Sequence, residues 1–190
     1  MKDKPHSGNK ALFKLGGSGL GLVVYRNGRG LIIGSRIVVL DGQDNVPEYS
    51  WLSPEETVRQ IVIPDNIVGL AMLAMLAIPR GYVASYSQIA EVLKTTPRHA
   101  GLLASKNKLP VIVPCHRVVR SDGYVGGYSA ARLSGVRVKE SLLALEGVDV
   151  DDGKVSRRFF VDTEDMRREF YKLYHLYYRY RISEDGHGLA

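Results

Sequence analysis

The chain holds a single cysteine, Cys115, and His116 and Arg117 follow it directly. A thiol attacks carbon only as its thiolate; a nearby imidazole is a suitable proton acceptor, and cations favour the anion. A lone cysteine is more often an inert, buried, apolar filler than a nucleophile. Here His116, Arg117, Arg120 and Lys139 favour the thiolate reading. Adjacent side chains on extended backbone point to opposite faces. His116 is therefore expected to reach the Cys115 sulfur through an intermediary such as water. Glu146 is the second clue. It ends a helical run from Val138, just before Gly147, where a carboxylate opposes the helix dipole and calls for a compensating partner. A histidine would serve, although an exposed glutamate in a last turn is the ordinary alternative.

These residues need elements to place them. Val111-Ile112-Val113-Pro114 reads as a buried strand that stops at its proline and delivers Cys115 at its end. Upstream, Ser85 or Ser87 caps a helix through Leu93, Lys94-Thr95 makes a turn, and Thr96-Pro97 opens a second helix to about Ser105. That is helix-turn-helix spacing. It places Arg98 in the first turn of the second helix and Lys106 and Lys108 past its end. Two short helices with a tight turn are also common in cores unrelated to DNA.

Residues 12–40 alternate β-branched runs with Asn27-Gly28 and Gly34-Ser35, which predicts antiparallel hairpins. Gly16, Gly17, Gly19 and Gly21 do not form a dinucleotide motif, because Leu22 stands where its third glycine would be and no βαβ unit follows. Ser53-Pro54-Glu55-Glu56 is a capping box. Asp65 is expected to cap an apolar helix from Asn66 to Ile78, and Thr163 to Arg181 carries Met166, Phe170, Leu173 and Tyr177 at helical spacing. That aromatic stripe suits docking on the protein's own core better than stacking on nucleic acid.

The predicted fold is α+β: an N-terminal antiparallel β unit (1–63), a mainly helical unit with the helix-turn-helix and the cysteine (64–150), and a C-terminal helical extension (151–190). One cysteine gives no disulfide and no ordinary zinc site. No signal peptide or membrane span is evident, and the expected setting is reducing and cytoplasmic. The net charge of +6 is unevenly distributed. Residues 80–139 hold ten basic groups against Glu91 and Asp122, a local excess of eight, while the rest of the chain sums to minus two. Such a block is the footprint of a phosphate-binding surface. Five asparagines and three glutamines are few for this length and are compatible with a thermophilic source.

Pro114-Cys115-His116-Arg117-Val118-Val119, Gly126-Gly127-Tyr128-Ser129 and Lys139-Glu140 with Leu142-Leu143-Ala144-Leu145-Glu146-Gly147 resemble the active-site segments of the O6-alkylguanine-DNA alkyltransferase family. The likeness runs upstream through Ile78-Pro79-Arg80-Gly81, Ser85-Tyr86-Ser87-Gln88-Ile89-Ala90, Thr96-Pro97-Arg98 and Asn107, covering about residues 78–148. The resemblance implies a monomer that approaches the minor groove of double-stranded DNA containing O6-alkylguanine, flips the damaged base out, and moves the alkyl group irreversibly to Cys115. It implies that Arg98 fills the space left by the base and that Ala100, Gly101 and Ala104 line the exposed face of the recognition helix, with Arg117 also toward DNA. Glu146 would orient His116, His116 would deprotonate Cys115 through a water, and Tyr86 and Lys139 would assist the leaving guanine, with neither cofactor nor catalytic metal needed. Tyr86, Val118, Gly126, Gly127, Tyr128 and Ser129 would form the pocket, and Asn107 the hinge.

The segment from Ala130 to Val136 is longer than the family's usual spacing, which bears on pocket size. The extension from Asp151 has no counterpart in the resemblance. A non-catalytic binder of alkylated DNA is the alternative function, opposed by the retained Cys115. A thiol hydrolase using Cys115, His116 and Glu146 is a second, opposed by the adjacency of nucleophile and base and by the basic helix-turn-helix.

Overall fold

The computed structural model describes residues 9–41, 45–129 and 135–184. Strands β1 (Lys10–Lys14), β2 (Leu20–Arg26) and β3 (Ile32–Val39) form an antiparallel meander in that order. Asn27 closes the second hairpin, its Oδ1 accepting from the Arg29 and Leu31 amides, both at 3.0 Å. Gly34-Ser35, expected as a turn, lies inside β3 instead, and the other turn is at Gly16 to Ser18 between β1 and β2. The reason is tertiary. The Ser35 amide donates to Lys108 O at 3.0 Å and its hydroxyl to Pro110 O at 2.8 Å. The sheet edge thus holds the segment that leads to the cysteine.

Helix α1 (Pro54–Gln60) starts with the predicted capping box, in which Ser53 and Glu56 satisfy each other's backbone amides. Helix α2 (Ile67–Leu76) is capped by Asn66 rather than Asp65 and stops two residues short of Ile78. It is buried on nearly all sides, from Ala71 to Leu76 without interruption, and serves as the central strut. Gly69 lets it pack, because a Cβ there would stand 1.9 Å from Pro64 O.

Strand β4 (Ala84–Ser85) runs straight into helix α3 (Tyr86–Val92), which Ser85 and Gln88 cap reciprocally. Lys94 takes a left-handed conformation at φ 51° to make the turn, and Thr96 caps helix α4 (Pro97–Ser105). The helix-turn-helix is therefore present as read. Val111 to Pro114, by contrast, is no strand. Val111 is left-handed at φ 74°, Val113 N donates back to Leu109 O at 2.8 Å, and Cys115–Arg117 form one turn of 3-10 helix. The run is apolar because a tight turn there is fully buried, and apolarity alone does not distinguish it from a buried strand. Strand β5 (Val118–Val119) follows and pairs in parallel with β4.

Helix α5 (Gly135–Leu145) and the small hairpin of β6 (Val150–Asp151) and β7 (Lys154–Val155) come next. Helix α6 (Thr163–Glu184) then crosses back over α1, α2 and α3. Met166 and Leu173 are fully buried, Phe170 nearly so, and Tyr177 donates to Ile63 O at 3.0 Å. Arg167 pairs with Glu91 on α3 and Lys172 with Glu55 on α1. The aromatic stripe is thus a docked face, and a single buried cluster joins Leu22 of the sheet, Met72 of α2, Cys115, Leu142 and Leu173. The architecture is α+β, a three-stranded antiparallel sheet with a mainly helical remainder, as the sequence predicts. Among the described residues, no helix is long and apolar enough to cross a membrane. Leu173→Ala should lower the unfolding free energy by about 2–5 kcal/mol, as for other large-to-small core changes. Urea unfolding would show this, and a loss within 0.5 kcal/mol, the size of an ordinary surface change, would mean that α6 is not part of the cooperative core.

Candidate active site

The parallel β4–β5 pair places the start of α3 beside the turn that carries Cys115, and α5 lies against that turn from the other side. Cys115 is buried, and its Sγ accepts from Asn107 Nδ2 at 3.1 Å and lies 3.8 Å from the Tyr128 hydroxyl. The same Asn107 amide donates to Val113 O at 2.9 Å, while its Oδ1 accepts from Leu109 N. One side chain thereby ties the end of α4 to the cysteine turn. A cavity of about 350 Å³ opens over Cys115, lined also by Tyr86, Gly101, Ser105, Ser129 and Lys139. That is within the usual size of small-ligand sites, roughly 300–1,000 Å³.

Behind the cysteine, Glu146 is sealed at the end of α5. Its Oε1 accepts from His116 Nε2 at 3.0 Å and Arg117 Nη2 at 2.8 Å, and its Oε2 from Arg117 Nε at 2.7 Å. Arg117 Nη1 donates to Ile78 O at 2.7 Å. With Nε2 committed to the carboxylate, Nδ1 is the bare nitrogen of His116; it is buried and has no hydrogen-bond partner among the described residues. Burial would raise the Glu146 carboxyl, but the charge and hydrogen bonds of His116 and Arg117 overturn that and hold it at about 2. Burial lowers the His116 pKa, and this outweighs the neighbouring carboxylate.

Burial also dominates at the sulfur. It pushes the Cys115 thiol up, against the lowering effects of Asn107, Tyr128 and Lys139. The resting group is a thiol, and of the cations read as favouring its anion, Arg117 is engaged with Glu146 and Arg120 is exposed and paired with Asp122 at 2.9 Å. Lys139 is fully buried. Its Nζ donates to Val118 O at 2.6 Å and Val125 O at 2.7 Å and stands 5.9 Å from the centre of the Tyr86 ring. Burial brings its ammonium down to about 8.

Residues 71–148 match the model of the 6-O-methylguanine DNA methyltransferase DNA-binding domain. This segment belongs to that family. The chain is 50% identical over 103 residues to a methylated-DNA–protein-cysteine methyltransferase of Pyrobaculum aerophilum, a match covering 53% of this chain and 66% of that one. It is 46% identical over 78 residues to the enzyme of that name from Saccharolobus islandicus, covering 41% and 48%. The chain thus spans from about half to just under two thirds of the length of these relatives. In fold it is similar to the O6-methylguanine-DNA methyltransferase of Pyrococcus kodakaraensis, with a TM-score of 0.56 at 22% identity over 73% of this chain and 98% of that one. It is also similar to Mycobacterium tuberculosis OGT in complex with DNA, with a TM-score of 0.51 at 22% identity over 73% and 92%.

Of the residues singled out by the methyltransferase resemblance, Cys115, Tyr86, Gly127, Tyr128, Ser129 and Lys139 meet around the cavity, and His116 and Glu146 meet behind it. Others differ. Arg117 was expected toward DNA but is an internal partner of Glu146. Ala100 is 1% exposed and belongs to the core, whereas Gly101 and Ala104 line the cavity. Val118 and Gly126 do not line it; Val118 contributes its carbonyl to Lys139. Arg98 is exposed in the first turn of α4. Within the segment from Ala130 to Val136, residues 130–134, Arg132 included, lie outside the described residues.

Two features escaped the sequence reading. Ser105 lines the cavity, and its position on α4, four residues after Gly101, was the available signal. The Arg117–Glu146 pair was foreshadowed by an acidic residue at the wrong helix end, but two candidate partners stood side by side. Glu146 supplies a test. Its folded value of about 2 lies below the ordinary 4.5, so its stabilisation is complete above pH 4.5 and is lost as the pH falls through about 2. Glu146→Gln should flatten that acid limb in urea unfolding between pH 2 and 5 while lowering stability at neutral pH. An unchanged acid limb would show that other carboxylates set it.

Proposed function

We propose that this protein carries out direct-reversal DNA repair, transferring the alkyl group of O6-alkylguanine in duplex DNA to Cys115 once and irreversibly. The observation that carries the reading is the meeting, in one cavity wall, of the Cys115 sulfur, the hydrogen-bond donors Tyr86, Ser129 and Lys139, and the inner side of α4. A nucleophile, leaving-group assistance and a helix with a free outer face share one opening. The relatives' names and the family match of residues 71–148 support the same chemistry.

In this reading the unit of residues 64–150 does the work, as a monomer and in a reducing, cytoplasmic setting. Helix α4 enters the minor groove, which suits a protein that must find damage without reading sequence. Extruding the base costs a few kcal/mol of stacking and pairing, and Arg98 takes the space it leaves. The Cys115 proton passes to His116 Nδ1 through a water, with Glu146 holding the ring. The sulfur electron pair then forms the S–C bond as the C–O6 bond breaks. The departing pair goes to guanine, which takes up the proton released from the thiol. Tyr86, Ser129 and Lys139 supply hydrogen bonds as charge develops on the purine. Lys139 does a second task, since its positive charge favours the thiolate only once the thiol proton has been removed. The product is a thioether that no group in the site can cleave, so each chain acts once.

The test is intact-protein mass after incubation with a duplex containing one O6-methylguanine. The expected result is a gain of a single methyl group, saturating at one per chain and absent from Cys115→Ala. Selective binding of the damaged duplex with no mass gain would overturn the transferase reading and leave a binder.

A further inference from the structure

Leu102 is the side chain on α4 that neither the fold nor the transfer chemistry accounts for. It is 53% exposed, whereas its neighbour Leu103 is 1% exposed and packs in the core. It lies four residues after Arg98, which puts the two on the same outward stripe one helical turn apart. Gly101 and Ser105, both on one flank of that stripe, line the cavity over Cys115. A large apolar group is thus held out beside the mouth of the cavity, next to the exposed arginine. Solvation gives no reason for a leucine there, and α4 turns its other side, with Ala100 and Leu103, to the core.

We infer that Leu102 is a wedge that enters the base stack beside the extruded nucleotide, a positioning residue for base flipping distinct from Arg98. The inference rests on the proposed approach of α4 to duplex DNA and adds to it a second, apolar contact. Proteins that bend DNA from the minor groove often insert leucine or a similar side chain between base steps, trading stacking for apolar contact with the opened bases. Arg98 is long and charged, and it can reach across the vacated space to polar base edges and phosphates. Leu102 has no such reach and no hydrogen bond to offer; only apolar base faces or sugars give it a favourable environment. The two side chains would divide the work, one holding the gap open from within and the other prising the adjoining step.

The experiment uses the full chain and a duplex with O6-methylguanine beside 2-aminopurine, whose emission rises on unstacking. Leu102→Ala should lower that emission gain and slow methyl transfer from the duplex by about tenfold, an effect of the size expected for losing one buried apolar contact. Leu102→Met, which keeps an apolar side chain of similar reach, should restore both to within about twofold of wild type. The dependence of affinity on salt should be unchanged in Leu102→Ala, because no phosphate contact is lost, whereas Arg98→Ala should reduce it. O6-benzylguanine supplied as the free base, with its easily displaced benzylic carbon, should react with Leu102→Ala as with wild type. Equal emission in wild type and Leu102→Ala would overturn the inference, as would equal slowing of the free-base and duplex reactions, which would place the effect in the pocket. A wild-type protein that unstacks the duplex through Leu102 but transfers nothing would sink the transferase reading and leave the wedge standing.

Discussion

Everything at the site depends on a buried carboxylate that has two partners. Glu146 sits where the helix dipole repels it and where water cannot reach it, yet it is ionised, because Arg117 grips both of its oxygens and His116 donates to one. Removing one member of such a buried pair typically costs about 3–5 kcal/mol. The end of α5, the cysteine turn and the Ile78 carbonyl after α2 are therefore locked into a single arrangement. The orientation of the His116 ring follows. With Nε2 held by the carboxylate, Nδ1 is left as the basic atom, next in sequence to the thiol.

Burial shifts the groups at and behind the cavity toward their uncharged forms. The thiol is pushed up, the imidazole down and the Lys139 ammonium down to about 8. At neutral pH the thiol and the imidazole are therefore uncharged, while Lys139 keeps its positive charge. A thiol that is protonated at rest is protected from oxidants and stray electrophiles, and the cation that would favour its anion is already aimed by two carbonyls. Desolvation and preorganised donors act together here, since the same burial that suppresses charge strengthens each hydrogen bond inside the cavity.

The outlying parts brace this arrangement. The N-terminal sheet reaches past its own core to hold Lys108 and Pro110 through Ser35, which pins the turn leading to Cys115. Helix α6 binds α1, α2 and α3 together through buried apolar side chains and through ion pairs to Glu91 and Glu55. Arg167 and Lys172 pair with those neighbours, while the buried Met166, Phe170 and Leu173 make this side of the arginine- and tyrosine-rich helix its docked face.

Several features could be read directly in the sequence. Local signals marked α1, α3 and α4, because a capping box or a Thr-Pro start depends on residues a few positions apart. The reactive cluster was legible because Cys115 and His116 are adjacent and Glu146 stands at a helix end that requires a partner. Other features were decided by packing. Arg117 looks like a surface cation until the position of α5 is known. Ala100 and Leu102 are both compatible with an exposed helix, and only the contact of α4 with the core selects which one is buried. The run from Val111 to Val113 has a strand's composition but makes a buried turn, since apolarity reports burial and the path of the chain through the core determines shape. The sequence determines which chemical groups exist and which short segments fold; which of them face each other depends on how the helices cross, and that is a property of the whole chain.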